Sequence, residues 1–409
     1  MQMTIGNIFL IQKKNLAFGF FCAGILWAYW GSLMPWFMWG TVKFNAIIPS
    51  FLIIISLYIS YYFTSETIFD RKNYESSALL ALIALVLMRI VNLNNIIGFT
   101  EAVFTAFIIF TLLKLNTSYL QKLIKIVCIS MGGFLCLSVG GFFLYLFGFP
   151  LPSSSIANEE LLYSFQNYYI FLIDDRAFLA FIPRFHSVFL EPGHLGTATA
   201  FLLLTQIGQW KKWYNIVMIV TTLITFSLAA YMLFIFVLFA SAWIQHKRVF
   251  MKLFGIIVLI VGVGIGAFFY EQGDNMLFTL IIERLEITED GDIAGNNRVT
   301  DDFDAIYDDY LQSIDILYGR EYKIEDFGFG NSGYKVFLYD YGIICLFLVF
   351  LFYIVTAING NNPRAILCTL LIGCAAFLVR STPFSFYFLL PLYSTPYLLG
   401  DYHQNDEKE

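Results

Sequence analysis

The stretch RFHSVFLEPGHLG, residues 184–196, holds the densest group of chemically capable side chains. Four ionisable residues fall within eleven positions there: Arg184, His186, Glu191 and His194. A guanidinium presents five N–H donors on a planar fork that fits phosphate or carboxylate oxygens. Carboxylate and imidazole groups can carry protons. The stretch therefore predicts an anion-binding site with Glu191 as a base or proton relay beside an arginine. A zinc site is not predicted, because two histidines and one glutamate at this spacing match no usual ligand pattern.

Each member of this group also has a structural interpretation, and the sequence leaves both open. Glu191 directly precedes Pro192, a residue that is tolerated in the first turn of a helix. A carboxylate at that point is stabilised by the helix dipole without any catalytic role. His186 is predicted in a loop and His194 one turn inside a helix. Either histidine alone is more often structural than catalytic.

Other arginines stand beside apolar segments. Arg89 lies in the run ALIALVLMRIVN, where it can snorkel to lipid headgroups or face a cavity that opens outward. Arg298 and Arg320 lie in a polar segment, and Arg380 follows an apolar one. Guanidinium groups bind phosphate oxygens bidentately, so these arginines are candidate anion ligands.

The composition restricts the class of protein. The 409 residues are 59% hydrophobic and only 13% charged, whereas soluble domains are about 45–50% apolar and about 25% charged. A soluble enzyme, a secreted disulfide scaffold, a disordered chain and a nucleic-acid binder are all disfavoured. The six cysteines lie in apolar runs without CxxC spacing, which predicts neither disulfides nor a metal site. No cofactor and no nucleic-acid partner are expected.

The apolar segments predict an all-α polytopic membrane protein with about twelve transmembrane helices. A bilayer core about 30 Å thick requires roughly 20 apolar residues as helix. The candidate spans are 15–33, 44–64, 76–93, 96–114, 122–147, 190–209, 213–229, 230–246, 250–270, 335–358, 365–380 and 383–400. We expect a single integral membrane domain over residues 1–409.

The distribution of basic residues predicts the orientation of these spans. With the N-terminus in the cytoplasm, the inner side receives 11 Lys and 3 Arg and the outer side 3 Lys and 7 Arg. Positive charge is normally in excess inside. Both termini are then cytoplasmic, and the two long loops, 148–189 and 271–334, are extracytoplasmic. The arginines outside fit either a phosphate-binding role or pairing with acidic residues and headgroups.

The second long loop is strongly acidic, with 16 acidic and 4 basic residues between 271 and 334. Apolar residues follow Thr300 at helical spacing: Phe303, Ile306, Tyr307, Tyr310, Leu311, Ile314, Leu317 and Tyr318. They predict an amphipathic helix capped by Thr300 and packed over the outer mouth of the bundle. The acidic residues are predicted as mainly its solvated face. A calcium site is an alternative, although no EF-hand spacing is present. The glycines at 328, 330 and 333 predict a loop that re-enters the membrane.

Three stretches resemble a known family. RFHSVFLEPGHLG resembles the Arg-then-Glu-Pro-Gly signature of bacterial O-antigen and capsule polymerases of the Wzy type. FGFGNSGYKVFLYDYGIICLFLVF resembles the glycine-rich start and following span shared by those polymerases and the O-antigen ligases. Arg298, after two asparagines, stands where such proteins keep an arginine in their large outer loop. The acidity of the second loop departs from that pattern.

The resemblance implies a glycosyltransferase in a bacterial plasma (inner) membrane. Its substrate would be an undecaprenyl-diphosphate-linked oligosaccharide, polymerised at the outer face with undecaprenyl diphosphate as the leaving group. A chain-length regulator and a flippase would be candidate partners, and no metal is required because arginines can replace it.

The residue roles that we expect follow from this chemistry. Glu191, Arg298 and His186 form the expected catalytic group, with His186 as the reserve base. The expected substrate ligands are Arg184, Arg89, Arg380, His194 and Arg320. The arginines would stabilise the charge that develops on the leaving diphosphate.

Three other functions compete with this interpretation. An O-antigen ligase would use the same donor but transfer it to a lipid acceptor. A transporter of lipid-linked oligosaccharides would have charges along a central path, whereas here ionisable residues gather at one face under two long loops. A non-catalytic membrane scaffold would tolerate any substitution at Arg89 and within 184–194.

Overall fold

The computed structural model describes residues 2–63, 67–69, 74–89, 96–158, 163–175, 183–245, 300–323, 327 and 332–399, together with single positions between 251 and 269. These residues are mainly helical. The α-helices are α1 (Gln2–Ser32), α2 (Ile47–Phe63), α3 (Glu75–Leu87), α4 (Ile96–Leu113), α5 (Thr117–Leu146), α6 (Pro192–Thr205), α7 (Trp213–Ile224), α8 (Leu228–Gln245), α9 (Asp301–Leu311), α10 (Tyr334–Ile358), α11 (Pro363–Val379) and α12 (Phe386–Leu398). Two 3₁₀ helices span Trp36–Phe44 and Ile314–Leu317.

A helix lies at each predicted span that the structure describes over most of its length, and span 250–270 lies largely outside the described residues. Four helices, α4, α5, α8 and α10, are long and apolar enough to cross a membrane, which indicates a membrane protein. The number becomes five if α1 and the 3₁₀ helix Trp36–Phe44, which are bent by 114° relative to each other, count as one span. The other helices among the described residues are shorter, so the prediction of twelve full spans is not established.

The lipid-facing character of the bundle is visible in its exposed apolar side chains. Phe51 of α2, Leu137 of α5 and Phe347 of α10 are 62%, 65% and 64% exposed. Soluble proteins rarely expose large contiguous apolar surface. Apolar side chains of this size on several helices are expected where lipid replaces water.

Polar residues determine where several of these helices begin. The Asn116 side chain accepts a hydrogen bond from the Ser118 N–H at the start of α5. Asn362 accepts from two backbone N–H groups at the start of α11, where Pro363 occupies the first helical position. Such caps satisfy N–H groups that have no partner within the helix.

The bundle has two chemically different ends. At one end, which we call the lysine end, Lys14 and Lys122 lie over the Tyr119 ring and Lys114 pairs with Glu75 at 3.8 Å. Arg89 lies just after the end of α3, opposite Glu75 at its start, and Arg380 ends α11. We call the region that holds these two arginines and Arg184 the arginine end. Two hydrogen bonds tie segments together there: the Tyr387 N–H donates to Ser32 Oγ at 3.0 Å, and the Phe185 N–H donates to the Ile224 carbonyl at 3.3 Å. The lysines and arginines named here lie at different ends, whereas Arg364 begins α11 at the lysine end and Lys335 lies at the start of α10.

The first long loop contains a small β-sheet, which the all-α prediction did not include. Strands β1 (Ser154–Asn158), β2 (Tyr163–Asn167) and β3 (Leu172–Asp174) pair antiparallel in the order β1-β2-β3, with Ile156 opposite Phe165. The Leu172 N–H donates to the Ser187 carbonyl at 2.8 Å. Phe165, Leu172 and Leu190 form a small core between the sheet and the chain leading into α6. The sheet therefore lies against residues 184–191.

The predicted amphipathic helix is present but shorter than expected. Thr300 caps α9, and its hydroxyl accepts from the Phe303 N–H at 3.4 Å. Phe303, Tyr307 and Tyr310 are buried against Tyr339 at the start of α10. The helix ends at Leu311, and the apolar residues beyond it are largely exposed because the chain turns into a 3₁₀ helix.

Two glycines hold the end of this segment against α10. Gly342 interrupts α10 with φ +74° and faces the Leu317 carbonyl, which a Cβ atom there would meet at 2.5 Å. Gly319, with φ +91°, faces the Asp340 carbonyl in the same way. Positive φ values are accessible to glycine without steric cost. The backbones can therefore approach closely only because neither residue has a side chain.

Candidate functional site

Glu191 and Arg380 form the central ion pair of the candidate site. Glu191 has an extended backbone directly before Pro192, at the N-cap position of α6, but its side chain makes no capping bond. Instead its Oε2 accepts a hydrogen bond of 2.6 Å from Nη2 of Arg380, which ends α11. The two residues are 189 positions apart in the chain. The interpretation of Glu191 as a simple helix-end carboxylate therefore does not describe its side chain.

Gly193 makes room for this ion pair. A Cβ atom at position 193 would lie 2.6 Å from Arg380 Nη2 and 3.5 Å from Ser227 Oγ. The guanidinium therefore occupies the space that any other residue would fill with its side chain. Further along α6, a Cβ atom at Gly196 would overlap Ala230 of α8. The glycines of the EPGHLG sequence thus bring α6 close to both the arginine and α8.

Two further side chains complete the surroundings of Glu191. Tyr163 of β2 donates its hydroxyl hydrogen to Glu191 Oε1 at 3.1 Å. The His194 ring lies 6.1 Å from the Tyr387 ring and within electrostatic range of Glu191. Burial raises the pKa of Glu191, but the charge of Arg380 and the bonds from Arg380 and Tyr163 outweigh it and lower the pKa to about 2. Glu191 is therefore ionised, and a poor base while Arg380 holds it.

The ion pair is open on the carboxylate side. The Arg380 side chain is 14% exposed, whereas that of Glu191 is 38% exposed. Two nitrogens beside the pair, Arg380 Nε and His194 Nδ1, are buried and have no hydrogen-bond partner among the described residues. Buried polar atoms normally have a partner. The site therefore offers unused hydrogen-bonding capacity next to an accessible carboxylate.

His186 and Arg184 lie beside this group in a tight turn. His186 is 2% exposed, packs on the Phe165 ring, and its Nδ1 lies 2.6 Å from the Phe189 carbonyl. Because a carbonyl only accepts, Nδ1 carries the hydrogen. Burial lowers the pKa of His186, and the bond to Phe189 partly offsets this. Arg184 Nε donates to the Thr225 carbonyl at 3.3 Å. His186 is thus a neutral, enclosed side chain, which weakens its expected role as a reserve base.

The backbone conformation of this turn explains its shape. Ser187 has φ +54°, a left-handed conformation that is uncommon for residues other than glycine. Its hydroxyl accepts from Ser138 of α5 at 2.8 Å, and its carbonyl accepts from β3. Strained residues of this kind persist where the surrounding structure fixes them. Helix α5 and the β-sheet together therefore hold the turn that leads to Glu191.

Arg89 lies in a separate cavity of the arginine end. It pairs with Glu101 of α4, with Nη2 and Oε2 3.8 Å apart. The two side chains line a cavity of about 380 Å³ whose walls include segment 381–386. Arg89 thus faces a cavity, which was one of the two alternatives for it, but the structure does not bring it to the Glu191–Arg380 pair.

The structure does not bring Arg320 to the Glu191–Arg380 pair. Arg320 Nε donates to Asp315 at 2.7 Å, and its guanidinium lies over the Tyr310 ring, so it belongs to the packing of the acidic loop. Its expected role as a substrate ligand stays a prediction. Arg298 lies outside the described residues. Among those that are described, no group of three His, Cys, Asp or Glu side chains could hold a metal ion.

Three contributors were missed from the sequence. Tyr163 is one of 25 tyrosines and lies in a loop without strong periodicity, so nothing distinguished it. Tyr387, whose hydroxyl lies 2.9 Å from Thr382 Oγ1, was counted as part of a span. Gly193 was noticed only as part of a motif, although a glycine directly after Glu-Pro indicated a close approach.

No protein-family model, curated protein or solved structure matches this chain. The geometry of the site is therefore the basis for any functional assignment.

Proposed function

We propose that this chain is a membrane glycosyltransferase that polymerises oligosaccharide units carried on a polyprenyl diphosphate. The observation that carries the proposal is the Glu191–Arg380 pair, which is open on its carboxylate side at the arginine end of the bundle. A diphosphate leaving group requires positive hydrogen-bond donors, and a sugar hydroxyl that attacks requires a proton acceptor. Arg380 supplies a positive donor and Glu191 a proton acceptor, and one hydrogen bond joins the two.

Arg380 and Arg184 are the proposed ligands of the diphosphate. Arg184 bonds to the Thr225 carbonyl, and the space above Gly193 that the Arg380 guanidinium occupies is also bordered by Ser227, so both arginines lie near the short connection between α7 and α8. Their forks would hold phosphate oxygens as charge develops on the leaving group. Arg298 remains a proposed contributor from the acidic loop.

Glu191 becomes a base when the diphosphate arrives. Arg380 is the strongest influence lowering the pKa of Glu191, while burial acts to raise it. A diphosphate that draws the guanidinium away removes the lowering influence, so the carboxylate gains proton affinity at the moment of reaction. The acceptor hydroxyl oxygen then bonds to the anomeric carbon. The bond from that carbon to the diphosphate oxygen breaks with its electron pair, and the hydroxyl proton passes to Glu191.

The apolar surface of the bundle supports a lipid-linked substrate. The apolar cavity between α10, α11 and α12, which is lined by residues such as Phe352, Phe377 and Leu392, has a volume of only about 30 Å³ and is too small for a lipid tail. A polyprenyl tail would instead lie along exposed apolar side chains such as Phe347 of α10. Its polar head would then lie at the arginine end, which we propose faces outward in a bacterial plasma membrane.

The test is reconstitution of the purified full-length protein in liposomes with a lipid-linked repeat unit. A polymerase produces a ladder of lengthened lipid-linked products. A ligase produces no lengthened products unless a second lipid acceptor is added, and a transporter produces none under either condition. Absence of the ladder would refute the proposal. Glu191→Gln and Arg380→Gln should each lower product formation at least 100-fold at equal protein amounts.

Matched substitutions at the lysine end separate chemistry from general damage. Arg364 begins the same helix that Arg380 ends, and Glu75 begins α3 as Glu191 precedes α6. Arg364→Gln and Glu75→Gln should retain activity per folded molecule. If Arg364→Gln and Glu75→Gln lose as much activity as Arg380→Gln and Glu191→Gln, the assignment of the site is contradicted.

A further inference from the structure

A second polar cavity opens at the arginine end beside the site described above. It has a volume of about 380 Å³, which lies within the range of about 300–1,000 Å³ of small-molecule sites. Its walls come from the ends of α1 and α3, the starts of α4 and α12, and Tyr341 of α10. The cavity is thus formed mainly by the helices and not by the two long loops.

The charges lining this cavity nearly cancel. Arg89 Nη2 lies 3.8 Å from Glu101 Oε2, and the two side chains are 39% and 31% exposed. A direct charge-assisted hydrogen bond would be about 2.7–2.9 Å long, so the pair is loose enough to accept a ligand hydroxyl. Arg89 also lies within electrostatic range of Asp340. A dianionic diphosphate would meet carboxylates as well as the guanidinium here, which disfavours it as the occupant.

Hydroxyl groups and aromatic rings surround the ion pair. The hydroxyl residues of the lining are Ser32, Thr105, Ser381, Thr382 and Ser385. Ser32, Ser381 and Thr382 already hydrogen-bond within the protein, so they can offer a ligand only their remaining capacity. Ser385 occupies the N-cap position of α12 without making a capping bond, so its oxygen is available to the cavity. Tyr341, Phe384 and Phe386 supply rings. Donors, acceptors and rings together match a polyhydroxylated ring, because guanidinium and carboxylate groups can each bind adjacent hydroxyls.

We infer that the Arg89–Glu101 cavity binds an uncharged carbohydrate segment, separately from the diphosphate site at Arg380. The inference rests on the proposed function only for the source of the sugar, which would be the repeat unit of the lipid-linked substrate. A free saccharide has the same recognition chemistry, and the experiment distinguishes the two sources. Arg89 is then a carbohydrate ligand and not a diphosphate ligand.

The test is saturation-transfer NMR on the full-length protein in nanodiscs, with neutral hexoses, deoxyhexoses, N-acetylhexosamines and their disaccharides as probes. At least one neutral saccharide should bind, and inorganic pyrophosphate should not displace it. Arg89→Gln and Glu101→Gln should each weaken binding at least tenfold, while Glu191→Gln should leave it unchanged. The inference would be overturned if pyrophosphate displaces the saccharide or if no probe binds. It would also be overturned if both cavity variants bind the saccharide as well as the unmodified protein does.

A second variant guards against unfolding. Ala102 lines the cavity and is 2% exposed, so Ala102→Leu reduces the volume without changing charge. It should lower saccharide binding at least tenfold in a monodisperse protein, and unchanged binding would count against the cavity. If a lipid-linked repeat unit displaces the bound saccharide, the cavity binds the sugar part of the lipid-linked substrate. If it does not displace the saccharide, the cavity binds free saccharide. Saccharide binding without any glycosidic product would refute the proposed function and leave this inference standing.

Discussion

Replacing Gly193 with alanine tests the central ion pair without removing either charge. The new Cβ atom would lie 2.6 Å from Arg380 Nη2, whereas ordinary contacts begin near 3.4 Å. The nitrogen must therefore move by about 0.8 Å, the difference between these two distances. Its bond to Glu191 is 2.6 Å long, so a displacement of this size away from the carboxylate lengthens it to about 3.4 Å, beyond the roughly 2.7–2.9 Å of a charge-assisted hydrogen bond.

The magnitude of the effect follows from the hydrogen bond that a displaced Arg380 would fail to make to the leaving diphosphate, because the proposed mechanism moves the guanidinium from Glu191 to that group. A hydrogen bond to a charged group contributes about 1.5–3 kcal/mol, and each 1.36 kcal/mol corresponds to a tenfold change in rate. We expect Gly193→Ala to lower product formation at least roughly tenfold. Folding should change little, because alanine is favoured over glycine in a helix by about 1 kcal/mol and the displaced atom is the far end of a flexible side chain.

The assay is initial-rate polymerisation in liposomes, with thermal unfolding measured on the same preparations. Gly19→Ala is the neutral control, because a Cβ atom there meets nothing within 4 Å. Gly196→Ala is the control for lost packing, because its Cβ would overlap Ala230, and it should reduce the yield of folded protein. Full activity of Gly193→Ala would refute the importance of the Glu191–Arg380 geometry.

Four further outcomes are expected. The pKa of Glu191 is depressed to about 2, so the stabilisation from its charge is fully present above the ordinary pKa of 4.5 and is lost as the pH falls. The difference in thermal midpoint between the unmodified protein and Glu191→Gln should therefore be constant from pH 7 to about 5 and should narrow below pH 5. Tyr163→Phe removes a neutral hydrogen bond and should lower the rate roughly two- to tenfold in the liposome assay. Gly342→Ala forces a left-handed conformation at a cost of about 1–3 kcal/mol, and size-exclusion chromatography should show less monodisperse protein. The variant Ser155→Cys, at an exposed position of the first long loop, should react with an impermeant maleimide in intact cells. The variant Gln209→Cys should react only after lysis. The reverse result would invert the proposed orientation.

The helices could be predicted from the sequence because their information is local. The apolar run that predicted 96–114 became α4 within one residue, and Thr300 caps α9 as expected. The end of α9 was not predictable in the same way, since the helical spacing continues beyond Leu311 while the chain turns to meet Gly342. Contacts between distant segments decided that boundary.

The candidate site could be predicted only in part, for the same reason. The ionisable residues of 184–194 are neighbours in sequence, and the structure keeps Glu191 and His194 close together. The partner of Glu191 could not be chosen among the outer arginines, because the pairing depends on how α6 and α11 pack. The β-sheet has strands of three to five residues without clear alternation, so the contact from Tyr163 had no signal in the sequence.

The space above Gly193 also predicts how this site varies between species. A chain that keeps the arginine must keep a residue without a side chain two positions after the carboxylate, whereas a chain that loses the arginine is released from that requirement. Positions 191, 193 and 380 should therefore change together in evolution, although the third is separated from the first by 189 positions. Distant homologues of this chain would be recognised more reliably by that correlated triplet than by any contiguous motif.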